Sequence, residues 1–336
     1  TGLSLPLQLP NADDVLRYDS YCGCGIGFFL GDANSPQTSV RIDASAPSLT
    51  WNGGFDPLFL PFNTTILTTG NLSVGTDVSI WTAADFDATI GGNVAFAGRP
   101  NMLLPQLGAG ETIRISAGGD FTMAQNTYLG AGGAGDAIQI AVDGKFINNV
   151  VPGNDPNGFS PNALMLEYPD NSRWVIYLKT PTGGHEFGSL DSGNTAVWNT
   201  AAFDPVTAPG NRYVFSHQPT LTFTSLDATK TYGETGAALA YSVEGLMPGV
   251  TGAYLGDEEE NTYSGVLRLS SLGEAATANV ADSPYSIDID MTGLTSIAGY
   301  DFASVNAGGL RVTPAELTVT ASDASMIYGD AAPDLG

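Results

Sequence analysis

One short pattern returns along the chain and leaves few folds open. "TTGNLSV" sets Gly70 before Asn71 and Leu72, "IGGNVAF" sets Gly92 before Asn93 and Val94, "AGGDFTM" sets Gly119 before Asp120 and Phe121, and "VDGKFIN" sets Gly144 before Lys145 and Phe146. The glycines are 22, 27 and 25 residues apart. Each follows a short alternating strand, clearest in "TIRIS" and "AIQIAV". A unit of strand, glycine turn and strand cannot bury its own apolar face. Coiling successive units stacks like on like, Ile113 over Ile138 and Phe121 over Phe146. The glycines then fall where the chain must bend sharply or take positive φ. The expected fold is all-β, a right-handed parallel β-helix over residues 63–170. An antiparallel sandwich is the alternative, and the near-constant glycine spacing argues against it.

Composition agrees. Gly supplies 42 of 336 residues and Lys plus Arg only 11, so helix-forming charged residues are scarce while Thr, Ser, Asn, Val and Ile recur. The formal charge of −24 leaves no basic stripe for a phosphate backbone or an anionic membrane surface, which argues against both partners. No apolar run has the length of a transmembrane helix, so no membrane span is expected.

Around the coil, residues 1–62 are irregular, rich in Pro and aromatics, and read as degenerate early turns or as a segment packed along the side. Residues 171–219 alternate again and carry Trp174 and Trp198; they read as a capping or transition segment closing the open edge. From about Pro219 a second repeat takes over. "LTFTSLDATKTYGE" at 221–234 returns as "LTVTASDASMIYGD" at 317–330, 96 positions later. Residues 220–315 are therefore one small all-β domain, sandwich or β-grasp-like, and residues 316–336 the first strand of a second, truncated repeat. With no long Gly/Ser hinge between them, such beads form a stiff stalk.

Chemistry-bearing motifs are few. A polysaccharide lyase or hydrolase would need paired carboxylates on neighbouring turns; Asp85, Asp87, Asp120 and Asp143 are the candidates, with Arg99, Arg114 and Lys145 as the available bases. Outward solvated residues of alternating strands explain them more simply. "GHEFG" lacks the second histidine of a zincin site, and "GAGGAGD" lacks the lysine of a phosphate loop. No catalytic residue is therefore assigned. Calcium is the one ion with candidate ligands, Asp257, Glu258, Glu259 and Glu260 in "GDEEEN" and Asp288 and Asp290 in "SIDIDM", although neither run has the spacing of an EF-hand loop. Cys22 and Cys24 in "YCGCG" form a local disulfide or a buried thiol pair, since no further cysteine is present and the only histidines are His185 and His217.

"RWVIYLKTPTGGHEFGSLDSGNTAVWN", followed by "GNRYVFSHQPTLTFTSLDATKTYGE", resembles the junction of large bacterial exoproteins of the filamentous-haemagglutinin type, exported by two-partner secretion, in which a β-helix passes into tandem YDG/MBG-type domains. The Tyr-Gly-acid signature is Tyr232-Gly233-Glu234 and again Tyr328-Gly329-Asp330. The resemblance spans residues 63–336. It implies passage through an outer-membrane transporter, a place at the bacterial cell surface, and non-catalytic work in adhesion, aggregation or biofilm formation. Expected partners are host or surface glycans and proteins, or copies of the chain itself in a purely structural fibre. It also implies a secretion domain ahead of residue 1. Threading an unfolded chain through a narrow pore tolerates only a very small disulfide loop, which Cys22 and Cys24 would make.

Overall fold

A computed structural model describes residues 63–76, 78–98, 107–151, 163–166, 171–321, 323–329 and 331–332, together with the backbone of strands Leu16–Ser20, Ile26–Leu30, Ser39–Ala44, Ser48–Trp51 and Leu58–Leu60. The protein is nearly all β, with stacked parallel sheets. Cys22 and Cys24 lie outside the described residues; the flanking strands Leu16–Ser20 and Ile26–Leu30 pair antiparallel.

From Ser39 onward, successive strands are dealt in rotation to three parallel sheets. The first sheet has seven strands: Ser39–Ala44, Asn63–Thr68, Phe86–Ile90, Ile113–Ala117, Gly135–Val142, Ser172–Leu178 and Arg212–Phe215. The second takes Ser48–Trp51, Asn71–Val74, Val94–Phe96, Phe121–Met123 and Phe146–Asn148. The third takes Leu58–Leu60, Ile80–Thr82, Leu107–Ala109, Leu129–Ala131 and Leu164–Leu166. The rotation thus begins within residues 1–62. As the sequence led us to expect, Ile113 lies beside Ile138 and Phe121 beside Phe146 in register.

Alternation decides what faces in. Phe86, Ala88 and Ile90 are buried while Asp87 and Thr89 face out. Phe96, Phe121 and Phe146 form an interior column with centroids 5.9 and 5.8 Å apart. Each such ring, fully buried, contributes about 1.5–3 kcal/mol.

The glycines have a cause that the sequence left open. Gly92, Gly119 and Gly144 sit where one turn rests on the turn before it: their N–H groups donate to the carbonyls of Gly70, Gly92 and Gly119 at 2.8, 2.9 and 3.0 Å. A Cβ on Gly119 would stand 2.0 Å from Asn93 Oδ1, and one on Gly144 would stand 2.4 Å from Asp120 Oδ1. Close approach, rather than positive φ, excludes a side chain. The residues after these glycines form a ladder. Asn71 Oδ1 accepts from the Asn93 N–H at 2.7 Å, Asn93 Oδ1 from the Asp120 N–H at 2.8 Å, and Asp120 Oδ1 from the Lys145 N–H at 2.7 Å. A second ladder runs from Asn63 through Asp85 to Thr112.

Above the last turn the seven-stranded sheet continues while residues 179–211 cover its end. Glu186 pairs with the edge strand Phe146–Asn148, its N–H donating to the Phe146 carbonyl and its carbonyl accepting from the Asn148 N–H. Phe187, Trp174, Trp198, Tyr213 and Phe215 pack into an aromatic cluster there. Residues 245–264 and 295–301 belong to this same compact unit, Leu255 N–H donating to the Asn194 carbonyl and Trp198 N–H to the Ala298 carbonyl.

The second unit comprises residues 222–244, 265–294 and 302–336. Phe223 lies between Tyr241 and Phe302 at 5.9 and 6.0 Å, and the strand that carries it pairs antiparallel with Tyr241–Glu244. Ala228–Thr231 runs parallel to Gly309–Thr313, which pairs antiparallel with Tyr285–Ser286. The buried Lys230 ammonium donates to the carbonyls of Glu234, Glu274 and Ala275. Gly233 turns at φ +94 and its counterpart Gly329 at φ +97, a region that favours glycine.

Gly119→Ala is expected to cost about 1–3 kcal/mol by overpacking and Asn93→Ala about 1 kcal/mol through the lost ladder bond. Because removing the Asn93 oxygen relieves part of the clash, urea titrations should show the double variant at least about 0.5 kcal/mol less destabilised than the sum of the two.

Candidate functional site

The carboxylates that an enzyme would use are differently employed. Asp85 lies in the corner one residue before its strand, its Oδ1 accepting from the Thr112 N–H and hydroxyl at 3.2 and 2.7 Å. Asp120 is likewise a rung of the first ladder. Asp143 is exposed and paired with Lys179 at 3.2 Å. Asp87 stands on the outer face of its strand, in register with Arg114; burial raises its carboxyl above the ordinary value, with Arg114 opposing. The Arg114 guanidinium lies 3.9 Å over the ring of Phe203, a non-glycine residue at φ +66.

The acidic run of residues 257–260 separates on folding. Asp257 turns inward. Its Oδ2 accepts from Trp198 Nε1 at 2.7 Å and from the Tyr300 hydroxyl at 2.6 Å, while its buried Oδ1 has no hydrogen-bond partner. The Tyr300 oxygen in turn accepts from the Met247 N–H at 2.9 Å. Burial pushes the Asp257 carboxyl above its ordinary 3.8, the two hydrogen bonds pulling the other way, and Tyr300 is raised as well, by burial and then by Asp257. One carboxylate thus clasps residues 245–264 and 295–301 to the covering segment. Glu258 caps the short helix Glu259–Thr262, and Glu259 accepts from the Tyr263 hydroxyl at 2.9 Å. In the second unit, Asp288 and Asp290 share the exposed face of one strand, and each accepts from nearby hydroxyl or amide groups. Among the described residues, no three of His, Cys, Asp and Glu come together as a metal-binding group.

Beside the clasp opens a cleft of about 660 Å3, within the usual range of ligand pockets. Its polar lining is almost uncharged: amides of Asn199, Gln218 and Asn261, hydroxyls of Thr200 and Ser296, and a single exposed carboxylate, Glu260. Arg212 also lines it, but its guanidinium is bonded to the carbonyls of Pro209 and Thr195 and to the Thr195 hydroxyl. Trp198 and Tyr300 form the rigid wall behind it, both buried. Trp174 and Trp198 are core residues rather than exposed platforms for a sugar; Trp81 keeps partial exposure.

The repeated phrase is the other notable surface. Leu221 and Phe223 are wholly buried, whereas their counterparts Leu317 and Val319 are 85% and 83% exposed, and Met326, Ile327 and Tyr328 are exposed with them. No described helix is long and apolar enough to cross a membrane. Comparison with protein-family models, with curated proteins and with solved structures returns no match for the chain.

The clasp has a pH signature. A folded-state pKa above the unfolded one means that the folded chain binds the proton more tightly, so stability falls as pH rises through the interval from 3.8 to the raised value. Asp257→Asn keeps an oxygen for Trp198 and Tyr300 but cannot titrate. Chemical denaturation across pH 3.5–8 should show wild type losing stability relative to this variant over that interval, with a constant difference at neutral pH.

Proposed function

We propose that the three parallel sheets are the faces of a right-handed β-helix and that the chain is a segment of a large secreted, surface-displayed fibrous exoprotein. It would work mechanically and at interfaces, in adhesion, aggregation or matrix formation. The observation that carries this reading is the rotation of strands among three sheets with aligned interior columns, the arrangement of a solenoid whose length can grow turn by turn. The filamentous-haemagglutinin resemblance supplies the rest: export through an outer-membrane transporter and residence on the bacterial surface. The exposed phrase 317–329 fits the same picture, as the opening strand of a second bead in which Leu317 and Val319 would be buried as Leu221 and Phe223 are.

Between an adhesive and a purely structural fibre, the cleft favours the adhesive reading. Amides, hydroxyls and one carboxylate around a rigid wall suit a neutral, hydroxyl-rich ligand such as a glycan, and the absence of an uncommitted cation in its lining disfavours an anionic one. A polysaccharide-cleaving enzyme is less well supported, since Asp85 and Asp120 are committed to the ladders.

Glycan arrays and sedimentation velocity on the purified chain test the two versions. Retention of neutral glycans, lost on Asn199→Ala with Gln218→Ala, is the expected adhesive outcome; no retained glycan together with concentration-dependent self-association would leave only the structural fibre. For the bead, a copy of residues 241–315 appended after Gly336 should protect the Leu317 and Val319 amides from hydrogen exchange, and Leu317→Asp should abolish that protection. Equal exchange with and without the extension would count against a second bead.

A further inference from the structure

The ladder of Asn71, Asn93 and Asp120 ends at the Lys145 N–H, and the amide after it bonds in the opposite sense, to a histidine later in the chain. His185 reaches back from the covering segment, its Nδ1 accepting from the Phe146 N–H at 3.0 Å while its Nε2 lies 2.9 Å from the Thr180 carbonyl. These partners determine the ring's protonation. An amide N–H can only donate and a carbonyl can only accept, so Nδ1 must keep its lone pair and Nε2 must carry the hydrogen. The site fits the neutral imidazole alone. One residue further on, Glu186 makes the two backbone bonds that cover the edge strand Phe146–Asn148.

We propose that His185 is an acid-sensitive latch on this sheet edge. A proton on Nδ1 sets an imidazolium N–H against the Phe146 N–H, two donors with no acceptor between them; the ring leaves, and the Glu186 bonds to Phe146 and Asn148 open with it. Released, the strand presents unpaired N–H and C=O groups, the template on which edge strands pair with other chains. The titratable groups around the ring act in opposite senses. Asp120, one turn below, attracts the imidazolium, whereas the Lys145 ammonium, which passes close to Gly184, repels it; Glu186 is adjacent in the chain and exposed. Burial outweighs the Thr180 hydrogen bond and Asp120, so the ring titrates below its ordinary 6.5 while latched. The sign follows: the latch is fully closed above 6.5 and weakens as pH falls from there through the folded value.

Amide hydrogen exchange on the whole chain tests this. Between pH 7.5 and 5.0, after correction for intrinsic exchange, protection of Phe146, Asn148 and Glu186 should fall by up to about 30-fold, the ratio set by an open ring at its ordinary pKa. The Asp120 amide, held by Asn93, should not change. His185→Asn supplies a side-chain oxygen that accepts but does not titrate, and should hold the edge independently of pH. Unchanged Phe146 protection in wild type, or an equal fall in His185→Asn, overturns the proposal. So does a ring found by nitrogen NMR as the Nδ1–H tautomer, or one titrating at or above 6.5, a measurement that needs no variant. The latch goes beyond the fibre reading, and neither outcome depends on whether the chain binds a glycan or assembles.

Discussion

Everything in the larger unit depends on one turn resting in fixed register on the turn before it. Parallel strands offer evenly spaced backbone bonds that would be nearly as good after a slip of two residues, so the backbone alone specifies register weakly. Two kinds of side chain remove the ambiguity. The phenylalanine column supplies most of the energy, since a buried ring outweighs a single hydrogen bond. The ladder of Asn71, Asn93 and Asp120 supplies the address, because a slipped turn would bring a Cβ, rather than a glycine, against the amide oxygen below.

This division explains why the insertions between turns vary without harm. Turn lengths of 22, 27 and 25 residues coexist along the ladder, because the corner is pinned whatever the length of chain between corners; in the 25-residue turn the surplus enters the eight-residue strand Gly135–Val142 with its register shift. It also explains why carboxylates on neighbouring turns are poor evidence of catalysis here. Asp85 and Asp120 occupy positions where an oxygen acceptor is structurally required, and asparagine fills the same positions elsewhere in the stack.

Much of the stack was legible in the sequence because it is periodic. Ile113 with Ile138 and Phe121 with Phe146 could be paired by counting, and the residue after each glycine already carried the ladder, although its role required seeing the distance to the turn below. What was not legible is what lacks a period. Asp257 meets Trp198 across 59 residues and Tyr300 across 43, and His185 meets Phe146 across 39. Each contact has at least one partner in an irregular segment, where neither alternation nor spacing marks a partner. In sequence, Asp257 looked like one more member of an acidic run, and only burial distinguishes it from Glu258.

The buried lysine of the first phrase has a bearing on fidelity. Lys230 gathers three carbonyl oxygens, and the matching position of the second phrase is Met326. Two similar segments in one chain invite exchange during folding, a characteristic failure of repeat proteins. If the later strand entered the earlier site, a thioether would face those oxygens and leave them without a donor. The change from Lys230 to Met326 would thus count against such an exchange, since the later segment carries no donor for those three carbonyls.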